Sequence, residues 1–181
     1  MKTTKTLGIV LLILVLSPLF VALFVSRVVV YEKTININAP INMVWDKVNS
    51  LSDLNRWSPW AIQDPNIKIV ISGGKDSIIG ATQTWKSKIV EIGKGSQTIT
   101  KMEKPFLLES SLKFTQPYKS ESNSYILLVS NENGTKLTWG IQSRMPYPSN
   151  IKNLFVDLDV TMNRDLDIGL AKLKEICENQ K

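Results

Sequence analysis

The sequence predicts an α+β domain. A curved antiparallel sheet of about seven strands wraps around one long C-terminal helix, and a transmembrane helix precedes the domain. Three observations carry this. Leu7–Val25, "LGIVLLILVLSPLFVALFV", runs without a charge. From Tyr31 to Ser143, apolar residues recur with period two between turn signals. From Ser149 the period turns helical, through Ile151, Phe155, Leu158, Met162, Leu166, Gly169, Leu170, Leu173 and Ile176.

The apolar run is about 28 Å long as a helix, close to the ~30 Å hydrocarbon core. A bilayer helix tolerates Pro18. A cleaved signal peptide is the rival reading. It fits less well, because the apolar stretch is long and no small-x-small site follows it. Residues 1–27 are therefore expected to be an uncleaved anchor and residues 28–181 the domain. Lys2 and Lys5 lie ahead of the run, Arg27 and Lys33 behind it. That balance favours a cytoplasmic N-terminus and an extracytoplasmic domain.

In "VYEKTININAP", Tyr31, Lys33, Ile35 and Ile37 share one face of a strand. Pro40 opens a short helix with Ile41, Val44, Trp45 and Val48 at helical spacing. Ser52 or Asp53 is expected to cap one more turn. "RWSPWAIQDPN" then reads as a loop stiffened by Pro59 and Pro65. Strands follow at Ile67–Gly73 and Ala81–Glu91, the latter with Ala81, Gln83, Trp85, Ser87 and Ile89 on one face. Another runs through "SQTITKME" to Glu103, and one through "LLESSLKFT" carries Leu108, Ser110, Leu112 and Phe114 on one side. Pro117–Asn123 reads as a polar connection. "SYILLVS" and "TKLTWGIQS" form a hairpin about Asn133-Gly134. Ser149 or Asn150 is expected to cap the final helix, with an interruption near Asn163–Asp165. One long helix covers the inner face of such a sheet without filling it, and the space left is a natural cavity.

Composition excludes several functions. The chain has 181 residues, no histidine and a single cysteine, Cys177. That removes the usual general base, every Ser-His or Cys-His pair and the common zinc sites. No metal or other cofactor is expected. Three of the 22 basic residues flank the apolar run, and the others nearly balance 16 acidic ones. No basic stripe points to nucleic acid. Glu91, Glu103 and Glu109 read as surface carboxylates. Asp157, Asp159, Asp165 and Asp167 read as the solvated face of the last helix.

Several segments together resemble one family. "ININAPINMVWDKVNSLSDLNRWSPW", "DPN", "GGKDSIIGATQTWKS", "NGTKLTWG" and "GLAKLKE" follow the order of the START and polyketide-cyclase-like superfamily, often called SRPBCC, with its helix-grip (START/Bet-v-like) fold. The resemblance spans Tyr31 to Lys181 and is nearest to bacterial members with one N-terminal membrane segment. It implies a module that holds a hydrophobic small molecule or lipid; a few members are cyclases or hydrolases. Trp85, Trp139, Leu112, Phe114, Ile141, Phe155, Leu158 and Met162 are the candidate cavity residues. Trp57 and Trp60 are candidates for its mouth. Each tryptophan has two readings: Trp85 and Trp139 as core filler or cavity wall, Trp57 and Trp60 as a plug in the core or lining of an entrance. The expected protein is a monomeric, membrane-tethered binder. A cyclase- or hydrolase-like enzyme and an envelope interaction protein with a vestigial cavity are the alternatives. A pocket free of ionisable groups fits the binder, and a buried carboxylate within it fits the enzyme.

Overall fold

Period-two burial from Val28 to Arg144 builds one sheet. A computed structural model describes the backbone of residues 2–154 and 158–179; the side chains of residues 2–6, 8–11, 15, 152, 153, 158 and 159 are also outside the description. Helix α1 (Lys2–Ala22) is followed by β1 (Val28–Ile37) and three short helices, α2 (Ile41–Trp45), α3 (Leu51–Trp57) and α4 (Pro59–Gln63). Six strands follow: β2 (Lys68–Ser72), β3 (Thr82–Lys86), β4 (Lys94–Glu103), β5 (Leu107–Gln116), β6 (Ser120–Asn131) and β7 (Gly134–Arg144). A 3-10 turn (Ser149–Leu154) and α5 (Leu158–Glu178) complete the chain.

The sheet is antiparallel throughout, in the order β1-β7-β6-β5-β4-β3-β2. Every neighbour except β1–β7 is a sequential hairpin. The register shifts at Lys94/Gly95 and Ile99/Lys101, and such bulges bend a sheet. Leu166, Leu170, Leu173 and Cys177 are buried along one stripe of α5 and face Ile37, Leu137 and Ile99 in one core. At the far end, the Glu178 carboxylate accepts from the Asn38 amide at 2.7 Å and pins the helix terminus to the start of the α2 turn.

Several boundaries differ from expectation. Ser50, not Ser52 or Asp53, caps α3: its Oγ accepts from the Asp53 amide at 3.0 Å and donates to the Asp53 carboxylate at 2.6 Å. The "SPW" segment is not a loop, because Pro59 occupies the first position of α4, where no amide donor is needed. Strand β3 stops at Lys86. Ser87 leaves the ladder to accept from the Ile89 amide and to donate to Asp64. Strand β6 starts at Ser120, so the polar connection shrinks to three residues. Helix α5 runs unbroken through Asn163–Asp165. Asn150 does not cap it. Its amide donates instead to the carbonyls of Ala22 and Val25, at 2.7 and 2.8 Å, at the end of α1.

Among the described residues, no helix is long and apolar enough to cross a membrane. The described residues therefore do not support the expected transmembrane helix at Leu7–Val25, part of which has side chains outside the description.

Candidate functional site

Trp139 on β7 is the hub of the site. Its indole nitrogen donates to Ser124 Oγ on β6 at 3.0 Å, which fixes the ring against the sheet. Trp57 from α3 meets it edge-on at 4.9 Å between centroids, and Trp60 from α4 meets it edge-on at 6.0 Å. Trp57 is only 2% exposed, and its own nitrogen donates to the Lys47 carbonyl at 3.0 Å. Helix α5 reaches this corner at Gly169. A Cβ there would stand 2.9 Å from the Trp139 ring and 3.0 Å from Pro59 Cδ.

Beyond this corner the sheet and α5 diverge. A cavity of about 780 Å³ opens between the inner sheet face, α3, α4 and the first turns of α5. Its volume suits one drug-sized ligand. Tyr31, Leu108, Leu112, Ile126 and Ile141 form its apolar floor, and Met162 faces them from α5. Trp85 closes one side, its ring edge-on to Phe114 at 5.4 Å and lying across Gly95.

Two polar groups interrupt the apolar wall. Ser110, Ser122, Ser124 and Ser143 form a ledge of hydroxyls on adjoining strands, with Ser122 and Ser143 2.7 Å apart. Asn55, Gln83 and Gln97 form an amide cluster: Asn55 donates to Gln83 at 2.7 Å, and Gln83 donates to Gln97 at 2.9 Å. These groups supply hydrogen bonds inside an apolar chamber, which is how a pocket fixes the orientation of an amphipathic ligand.

The cavity brings together most of the predicted site residues. Trp85, Trp139, Leu112, Phe114, Ile141 and Met162 all line it, as do Trp57 and Trp60. Phe155 lies outside the described residues, and so does the side chain of Leu158.

Asp165 departs from the expected solvated face. It is 5% exposed, lines the cavity and accepts from Gln63 Nε2 at 3.1 Å. Asp167 fits the surface reading: it is exposed and pairs with Lys33 at 3.1 Å; Asp157 and the side chain of Asp159 lie outside the described residues. Glu91 and Glu121 sit exposed at the cavity margin. The amide cluster and the serine ledge were not predicted as site residues. Gln83 and Ser110 did stand on inward faces of period-two strands, and polar side chains on an apolar face are the signal that could have found them.

The largest pKa shifts occur away from the cavity. Burial pushes the Cys177 thiol up to about 11 in the core. On the outer sheet face, burial and then the Glu32 carboxylate push Tyr125 up to about 12. Among the described residues, no group of three His, Cys, Asp or Glu stands together as a metal site.

The architecture, a seven-stranded antiparallel sheet gripping a C-terminal helix around a cavity, is the helix-grip fold. Solved structures share it. A protein of Mesorhizobium loti superposes with a TM-score of 0.60 at 14% identity, over 86% of this chain and 99% of that one. The Aha1 dimer of Colwellia psychrerythraea superposes with a TM-score of 0.58 at 19% identity, over 84% of this chain and 98% of that one. Ara h 8.0201 superposes with a TM-score of 0.56 at 13% identity, over 83% of this chain and 97% of that one. No protein-family model matches the chain. No curated protein matches it either.

Proposed function

We propose that this protein is a membrane-tethered binding module of the SRPBCC type that holds one hydrophobic small molecule or lipid between its sheet and α5. The observation that carries this reading is the 780 Å³ chamber, apolar on most sides and lined by the serine ledge and the amide cluster. The tether reading is supported by the uncharged run Leu7–Val25 and by exposed apolar side chains along it, among them Leu12, Leu16, Phe20 and Phe24. On this reading residues 1–27 are the anchor, residues 28–181 form a monomeric domain, and the domain lies on the extracytoplasmic side. The test is native mass spectrometry of the full chain extracted from its own membrane. A discrete adduct that disappears when Ile141→Glu blocks the chamber is the expected result. A folded protein that never carries an adduct would overturn the reading.

One observation favours a second reading, a cyclase- or hydrolase-like enzyme. The Asp165 carboxylate is buried in the cavity wall and is held there by Gln63. If it acts as a base on the occupant, Asp165→Asn abolishes conversion of the native ligand while the adduct persists. If it only orients a ligand donor, the same change weakens the adduct and no converted product exists to lose.

A further inference from the structure

We infer that, if α1 is the tether proposed above, the cavity mouth is held against the bilayer that α1 enters, and that the cavity exchanges its occupant directly with that leaflet. This rests on the binding and tether readings above and adds the source of the ligand, an amphiphile of the bilayer.

The first observation is direction. Val28 pairs with Arg144, Ser143 with Ser122, Phe114 with Ser120, Gln116 with Lys94, and Lys94 with Lys86. The connections 23–27, 87–93, 117–119 and 145–148 therefore gather at one end of the sheet. That end is also the mouth, where Ile89, Glu91, Pro117, Tyr118 and Met145 line the cavity margin. The five residues between α1 and β1 keep this end within about 17 Å of the helix.

The second observation is a clasp. The Tyr147 hydroxyl donates to the Leu19 carbonyl at 3.2 Å. Asn150, fully buried, donates to Ala22 and Val25. Leu19 and Ala22 belong to the apolar run itself. A segment bonded to them lies at the depth of the last helical turn, where tyrosine suits a membrane–water boundary. The clasp thus fixes the mouth, and not only the chain end, at the surface.

The third observation is the chemistry of the rim. Its loop tips expose Tyr118 (77%) and Val90 (65%), and Leu154, in the 3-10 turn that follows β7, is exposed too. Lys88, Lys94, Lys119, Arg27 and Arg144 stand at the same end, with Glu91 and Glu121 among them. Apolar tips within a net basic margin complement an anionic lipid surface.

The test uses the full chain in nanodiscs of zwitterionic or mixed anionic phospholipid, each doped with a phospholipid bearing a diazirine on its acyl chain. After photolysis, adducts are mapped by peptide mass spectrometry. Label is expected on residues 88–92, 117–119 and 145–154 and on the cavity wall at Ile141 or Met162. It should be at least about threefold heavier at the rim in anionic discs. Label confined to residues 1–25 would overturn the inference. So would rim label without wall label, or cross-links between two rims in place of lipid adducts. If the native adduct persists while rim and wall stay unlabelled, the docking fails and the binding reading survives. If the native adduct is missing too, both fail. Because the clasp variants threaten folding, the deciding change is Val90→Asp with Tyr118→Asp, at two exposed tips. It should lower rim and wall label at least about threefold, with melting temperature and label on residues 1–25 unchanged. Undiminished label in that variant overturns the inference.

Discussion

Gly169 shows how one residue sets the distance between α5 and the tryptophan corner. Replacing glycine by alanine inside a helix adds about 1 kcal/mol of propensity. Here the new Cβ would stand 2.9 Å from the Trp139 ring, 3.0 Å from Pro59 Cδ and 3.3 Å from the Trp57 carbonyl oxygen. Neither ring can yield cheaply, because Trp139 is bonded to Ser124 and wedged by Trp57, and Pro59 is fixed in α4. The overlap should win, and Gly169→Ala is expected to lose about 1–3 kcal/mol in urea denaturation. A neutral or stabilised variant would show that α5 slides freely. Cys177 gives a second check at this scale. It is 2% exposed, and burial pushes its thiol up to about 11. Iodoacetamide at pH 8 should therefore modify it only as fast as the core opens, and rapid labelling of the native protein would contradict its burial. Trp85 and Trp139 were legible as inward-facing from strand alternation alone. Asp165 was not: it adjoins Leu166 at the edge of the helical stripe, and periodicity cannot say whether such an edge meets water or a cavity.

At the scale of elements, the sheet was legible because its turns are marked by glycine and proline and its faces alternate. The misread elements have local causes. Pro59 breaks a helix from within, but at a first helical position it is a starter. Ser87 looked like a strand residue until Asp64, far away in sequence, took its hydroxyl. Asn150 looked like a cap for the segment it begins, whereas it caps a helix more than a hundred residues earlier. Long-range partners of this kind leave no local signature. The outer sheet face has one too. Tyr125 on β6 lies across Gly140 of β7, where a Cβ would overlap the phenol ring as placed, and its hydroxyl donates to Glu32 on β1. Burial and that carboxylate raise the phenol from 10.0 to about 12. A raised folded value means the contact contributes fully below pH 10 and is lost as the pH climbs through about 12. The melting-temperature difference between wild type and Tyr125→Phe should therefore be flat to about pH 9.5 and shrink above pH 10. A difference that holds constant to pH 12 would show that the hydroxyl contributes nothing through Glu32.

For the whole molecule, the central question is how far the domain depends on α1. The main core cluster runs from Tyr31 to Cys177 and, among the described residues, takes none from α1. Among the described residues, the clasp of Tyr147 and Asn150 links the two parts. The fragment Val28–Lys181 should therefore fold alone, since about 150 residues suffice for one core. It should unfold cooperatively in thermal melts. An aggregated product, or one without a cooperative transition, would show that α1 belongs to the folding unit. Asn150 separates these cases further. In the full chain its amide is buried and both donors are used by Ala22 and Val25. Asn150→Ala leaves those two carbonyls without that partner, a loss of about 1–3 kcal/mol at a buried site. In the fragment the carbonyls are absent and water reaches Asn150, so the same change should be nearly neutral. Hydrogen exchange over residues 145–154 reads this locally. The substitution should speed exchange there about tenfold in the full chain and hardly at all in the fragment. Equal acceleration in both would mean that Asn150 supports the domain itself and that the mouth is not clasped to the helix.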